Sequence, residues 1–258
     1  MALPDLIDRS TLRDCVASMA GAASFAQAEA ALDVMARAIG MPMMAWAPDI
    51  GRPHFDGHMD AFLRRHGWPE DMLDLWWNRH VMLRMPLYIR CRFEHLPFVS
   101  LVRSGMDERS AVERAIEAAM SGFGLVSMLT APVQLPRGRI AMLTWVTDLD
   151  RARVEAVAEV AGPELLAAGH WFMAAFDREI GRIAAEPEEL SHLTPREWDC
   201  LRLVAQGHRD AEIARLNQLS PTTVRYHLDN VVRKLGAENR VHAVALAAQL
   251  GMLGAIGR

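Results

Sequence analysis

Lysine is almost missing from this 258-residue chain: Lys234 is the only one among 28 basic residues. Positive charge is therefore carried by arginine, and a lysine-dependent site anywhere before residue 234 is excluded. Cysteine is scarce as well. Cys15, Cys91 and Cys200 are far apart and odd in number, which excludes a disulfide framework or a metal knuckle and suits a reducing cytoplasm. No apolar run approaches the roughly 20 residues that cross a bilayer, so no membrane partner is expected. The opening stretch, MALPDLIDRSTLRD, lacks a basic segment followed by an apolar core and does not read as a secretory signal. With 51% hydrophobic and 23% charged residues, neither disorder nor a fibre is indicated.

Charge is unevenly placed. The whole chain is at −4, yet residues 193–258 hold nine Lys/Arg against six Asp/Glu, a local +3 that leaves −7 for the rest. An acidic body with a basic tail is the asymmetry expected when only one part approaches phosphates. The polar stretch 183–192, IAAEPEELSH, separates two helical patterns and reads as a linker. The expected organisation is thus a domain over 1–182 and a second over 193–258, each of ordinary size.

The first domain mixes periods. Helical spacing runs over residues 10–38, with Ser24 as a second cap, and Gly40-Met41-Pro42 breaks it. Met43–Ala47 reads as a strand, and 69–84 as a helix ending before Pro86. The apolar runs Gly122–Pro132 and Gly138–Thr147 read as a hairpin. A long amphipathic helix, or two, follows over 150–183, with Asp148 or Asp150 as cap. Helices flanking hairpin-joined strands predict an α+β fold, an α–β–α sandwich with an antiparallel sheet.

The second domain reads as four helices and nothing else. Thr194, Pro195 and Glu197 form a capping box with proline at the first helical position. Asp210 reads as the next cap, with Ile213 and Leu216 sharing a face, and the chain turns through Asn217-Gln218-Leu219. Ser220 and Pro221 start a third helix. Its buried stripe is Val224, Leu228, Val231 and Leu235, and it presents Thr222, Arg225, Tyr226, Asp229, Arg233 and Lys234 outward. A last helix begins at Arg240. Two short helices joined by a tight turn, the second offering Thr, Arg and Tyr, make a helix-turn-helix unit for double-stranded DNA. Arg225 suits a bidentate bond to guanine. Ser220, Thr222 and Thr223, at the helix N-terminus, suit phosphate or base contacts.

The segment LTPREWDCLRLVAQGHRDAEIARLNQLSPTTVRYHLDNVVRKLGAENRVHAVALA resembles the LuxR/GerE-type DNA-binding domain over its whole length. The shared positions include Leu193 to Glu197, Gly207, Glu212-Ile213-Ala214, Ser220, Thr223-Val224, His227-Leu228, Lys234-Leu235, Arg240 and Ala243. The resemblance implies that Ser220–Leu235 is the recognition helix and that the last helix is a dimer surface. It also implies a homodimer on a palindromic site that activates transcription through RNA polymerase, with repression as the alternative. Asn217 departs from the family's usual apolar residue.

The first domain resembles, more distantly, the autoinducer-binding domain of the same regulators. A phosphorylated receiver is excluded, since its strand-end lysine has no counterpart. Aligned on Pro86, the family's lactone-bonding tryptophan falls at Met72, a nearby tyrosine at Trp76, and the aspartate that accepts the acyl amide proton at Met85. A later pocket tryptophan falls at Ser100 and a turn glycine at Met128. An unpaired buried amide N–H costs about 1–3 kcal/mol, and a thioether cannot replace a carboxylate. The resemblance therefore implies an apolar small-molecule effector other than a standard acyl-homoserine lactone, or none. A further alternative is a ligand-independent regulator or anti-activator that heterodimerises with a quorum-sensing receptor.

Enzymatic and metal sites are not expected. His54 and His58 stand at i, i+4 in HFDGH, but no third ligand is evident and the stretch reads as loop. Asp56 and the Glu70/Asp71 pair lack anything that fixes their geometry for acid–base chemistry. No cofactor is expected.

Overall fold

The structure, a computed structural model, describes residues 7–102, 111–180 and 193–253. The chain divides into two compact units near residue 183. The linker expected at 183–192 lies outside the described residues.

The first unit opens on two helices, α1 (Arg9–Ala20) and α2 (Phe25–Ala38). The Asp8 carboxylate caps α1 and the Ser24 hydroxyl caps α2 through the Gln27 N–H. A short edge strand, β1 (Met43–Ala47), leads to α3 (Gly57–Arg65), α4 (Glu70–Trp77), the single turn α5 (Arg79–Met82) and α6 (Pro86–Cys91). Then come β2 (Phe98–Leu101), α7 (Ala111–Gly122), the hairpin β3 (Ser127–Gln134) and β4 (Ile140–Thr147), and the 29-residue α8 (Arg151–Glu179) capped by Asp150. The sheet is antiparallel in the order β1-β4-β3-β2.

Alternation divides the sheet into two faces. Val133 and Leu143 meet α8, and the approach is close: a Cβ on Gly169 would lie 2.7 Å from Val133 Cγ2. Phe25, Trp46, Phe172 and Phe176 fill this side with rings 5.0–5.7 Å apart. The opposite face carries Phe98, Ser100, Met128, Thr130, Gln134 and Thr144. Gln134 donates Nε2 to the Cys91 and Glu94 carbonyls, and the Arg90 guanidinium lies 4.1 Å over the Phe98 ring. Helices thus pack on both faces of one sheet, the α+β sandwich expected.

Several local readings are corrected. Residues 69–84 are not one helix: Asn78 is extended and separates α4 from α5. Pro86 itself opens a further helix, α6, because a proline at the first helical position sacrifices no hydrogen bond. HFDGH is only partly loop, since Asp56 caps α3 through the Met59 N–H. His54 stays in the loop and His58 enters the helix, so the two do not share a helical face.

The second unit is α9 (Pro195–Ala205), α10 (Asp210–Asn217), α11 (Pro221–Lys234) and α12 (Arg240–Gln249). Leu201, Val231, Leu235, Ala243 and Ala247 form one core cluster, and Cys200, Ile213, Ala214, Val224 and Leu228 a second. Asp210 is the first helical residue of α10 rather than its cap, a place taken by Arg209. Leu216 does not share the buried face of Ile213; it is exposed, and Asn217 turns inward with its amide 4.0 Å from Cys200 Sγ.

Candidate nucleic-acid interface and small-molecule crevice

Local sequence fixes the second unit's helix ends. Thr194 Oγ1 accepts from the Glu197 N–H at 3.3 Å, and Glu197 Oε2 accepts from the Thr194 N–H at 2.7 Å. Ser220 Oγ accepts from the Thr223 N–H at 3.1 Å and meets Thr223 Oγ1 at 2.8 Å. Between α10 and α11, Gln218 adopts φ 55° and ψ 44°, the left-handed conformation that reverses the chain in one residue.

These constraints bury Val224, Leu228 and Val231 and leave one side of α11 open. Ser220, Thr222, Arg225, Tyr226, Asp229 and Arg233 are exposed along it, with Thr223 half-buried. Tyr226 is 64% exposed, and Arg225 leans with Nε 3.4 Å from Asp210 Oδ2. Lys234 behaves differently from the rest of the predicted set. Its ammonium lies 2.7 Å from Glu197 Oε2, and that carboxylate is only 4% exposed. Burial pushes the Glu197 carboxyl up, but the Lys234 ammonium and the Thr194 bonds together hold it below the usual carboxylate range. Lys234 thus ties α11 to α9.

In the first unit the five predicted ligand positions fall into two groups. Met72 and Trp76 share the buried side of α4, and buried Met85 immediately precedes α6. Ser100 and Met128 are direct cross-strand partners, on the sheet face turned toward α6. Trp76 alone among the five lines a crevice of about 10 Å³ with Ala47, Met59, Trp77 and Tyr88, rimmed by Asp49, Arg52, His54 and Asp56. That space holds about one water.

Sequence reasoning missed three features here. Tyr88 is 2% exposed, its phenol has no hydrogen-bond partner among the described residues, and burial pushes its pKa well up. Thr130 and Thr144 are fully buried, with their hydroxyls 2.9 Å apart. The available signal was weak: a threonine within each of two mostly apolar strands, and one of only two tyrosines in the chain just after Pro86. Trp68, buried beside Trp76 with ring centroids 5.7 Å apart, spends its indole N–H on the Met44 carbonyl. Among the described residues no cluster of His, Cys, Asp and Glu suits a metal ion, and no helix is long and apolar enough to cross a membrane.

A capped helix-turn-helix unit preceded in the chain by a sheet sandwiched between helices defines the class: a two-domain transcription regulator. Comparisons agree with this in both units. The family profile "Bacterial regulatory proteins, luxR family" matches residues 191–247, and the profile "Autoinducer binding domain" matches residues 24–176. The chain belongs to the LuxR family of bacterial regulators that carry an autoinducer-binding domain, a family of transcriptional regulators and not of enzymes.

Among its relatives is RpaR of Rhodopseudomonas palustris, an HTH-type quorum sensing-dependent transcriptional regulator. The two are 29% identical over 209 residues, 79% of this chain and 80% of that protein. The HTH-type regulator y4qH of Sinorhizobium fredii is 33% identical over 139 residues; the match covers 53% of this chain but only 40% of y4qH. The crystal structure of Escherichia coli SdiA shares the fold at a TM-score of 0.55 and 17% identity, over 95% of this chain and 98% of SdiA.

Proposed function

We infer that this protein is a dimeric transcription regulator whose α11 enters the major groove, one helix per half-site of a palindrome. The observation that carries the reading is the open side of α11. Arg225 and Tyr226 stand on it between the polar N-terminal turn (Ser220, Thr222, Thr223) and Asp229 with Arg233. The first turn suits phosphates, Arg225 a guanine edge, and Arg233 the backbone further along. Val241, 75% exposed on α12, suits pairing of two copies. Residues 1–182 act as the sensor and dimerisation domain, 183–192 as the linker and 193–258 as the DNA-binding domain. Activation through RNA polymerase completes the reading. Its DNA target places the protein in the cytoplasm, a compartment that suits three unpaired cysteines.

The effector is a small, mostly apolar molecule other than a standard acyl-homoserine lactone. Met85 offers no acceptor for a buried amide N–H, whereas the Tyr88 hydroxyl can donate to a carbonyl. A second reading, ligand-independent regulation or anti-activation by heterodimerisation, is favoured by one observation. Met72 and Met85 are themselves core residues, and little space remains beside Trp76.

Two measurements test these readings. Selection from a random duplex pool should return a palindrome, and Arg225→Ala should weaken binding to it by about 1–3 kcal/mol; unchanged gel-shift affinity and specificity would overturn the assignment. Native mass spectrometry of protein made in its own host should show a dimer with a retained small molecule. A heterodimer with a second regulator and no small molecule would instead establish the second reading.

A further inference from the structure

Three helices of the DNA-binding unit meet on one carboxylate. Asp210, at the start of α10, is 17% exposed. Arg240, at the start of α12, donates Nη1 to Asp210 Oδ1 at 2.8 Å and Nη2 to Oδ2 at 3.4 Å. Arg225, in the second turn of α11, donates Nε to the same Oδ2 at 3.4 Å. Arg240 above all, against a smaller opposing effect of burial and with help from Arg225, holds the Asp210 carboxyl below its usual range. Asp210 is therefore ionised wherever the protein is folded near neutral pH.

The geometry of the Arg225 contact matters more than its strength. A guanidinium carries five N–H donors in one plane. Using Nε on Asp210 leaves both terminal nitrogens without a partner among the described residues, on a side chain that is 65% exposed. Those two nitrogens are the pair that bonds a guanine edge in a bidentate fork. A free arginine samples many rotamers; one tethered at Nε by an immobilised carboxylate samples few, and its fork is already aimed. The tether is fixed because Asp210 is gripped at both oxygens by Arg240, not because Arg225 holds it.

An acidic group so near the phosphates weakens binding to any DNA, so its placement beside Arg225 favours discrimination over affinity. We propose that Asp210, held by Arg240, is a positioning residue that aims Arg225 and sets base specificity without touching DNA. This rests on the reading of α11 as the recognition helix.

The test uses the full-length protein, the duplex selected by the wild type, and a panel carrying every single base-pair change, with a random duplex alongside. Asp210→Asn is nearly isosteric. We expect it to bind the random duplex as tightly as wild type or a few-fold more tightly. Discrimination at the base pair read by Arg225 should fall about tenfold, toward the level of Arg225→Ala, with other positions unaffected. The double variant Asp210→Asn/Arg225→Ala should discriminate no worse at that base pair than Arg225→Ala alone. Arg240→Lys, which loses the two-pronged grip, should move discrimination the same way by less.

If Asp210→Asn keeps full discrimination while Arg225→Ala loses it, the positioning role is wrong and the recognition-helix reading stands. If Asp210→Asn weakens every duplex in parallel with a lower melting temperature, its role is structural only and the inference falls. If Arg225→Ala itself leaves every base preference unchanged, the underlying reading fails.

Discussion

Glu197 and Lys234 meet at 2.7 Å across 37 residues of chain, joining the first helix of the DNA-binding unit to the last turn of its third. The same Glu197 oxygen accepts the Thr194 N–H, so one atom both caps α9 and anchors α11. The chain's single lysine is committed to this pair, which leaves the open side of α11 to arginine. Glu197→Gln keeps the capping acceptor and removes the charge. It should destabilise the unit by about 2 kcal/mol, the worth of a charge-assisted bond, read as an earlier urea or thermal transition. An unchanged transition would mean that the pair contributes nothing.

Acid should unfold this unit through the same residue. The folded-state pKa of Glu197 lies below its unfolded value. The pair's contribution is therefore fully present above the ordinary glutamate range and disappears as pH falls through the depressed folded value. Asp210 has the same sign. Stability measured by urea titration at successive pH values should decline as pH drops below about 5, and Glu197→Gln should flatten that decline. A variant with the full wild-type slope would assign the acid sensitivity elsewhere.

Gly169 sets how closely α8 lies on the sheet. A methyl group there would meet Val133 Cγ2 at 2.7 Å and Leu143 Cδ1 at 3.6 Å. Val133 is fully buried and stiff at χ1, so it cannot swing away. Gly169→Ala should cost about 1–3 kcal/mol through overpacking, even though alanine favours a helix more than glycine does. A stabilised variant would show that α8 can lift without loss.

Tyr88→Phe removes a hydroxyl that no described residue hydrogen-bonds, from a side chain that lines the crevice beside Trp76. Folding stability should hold or rise by up to about 1 kcal/mol, while the small molecule retained in native mass spectrometry should drop in occupancy. A destabilised variant would reveal a bond to the hydroxyl, and undiminished occupancy would remove Tyr88 from ligand recognition.

The second unit was legible in the sequence because its signals are local. Thr194-Pro195 with Glu197, and Ser220-Pro221 with Thr223, write helix starts into neighbouring residues, and the structure has the corresponding bonds. Leu216 was misread because its helix is only eight residues long, and the core selects Asn217 through a contact with Cys200 that no local pattern announces. In the first unit β1, the β3–β4 hairpin and α8 were visible from apolar periodicity, whereas β2 and α7 were not. The α3–α6 layer was not: its short helices end where tertiary bonds allow, such as Trp68 to the Met44 carbonyl and Trp77 to Asp60. The crevice beside Trp76 inherits that difficulty, because Tyr88 reaches it only once Pro86 starts a helix. Lys234 looked like a surface cation because its partner lies 37 positions upstream.

The left-handed turn at Gln218 reverses the chain between α10 and α11 by backbone torsion, and the Arg225–Asp210 contact adds a side-chain tie between the same two helices. Apart from Arg225 and the Ser220 cap, the exposed positions of α11 are consequently separable from the scaffold that mounts them. On the reading of α11 as the recognition helix, substitutions at Thr222, Tyr226, Asp229 or Arg233 should change the preferred operator while the Gln218 turn, the Ser220 cap and both core clusters stay as they are.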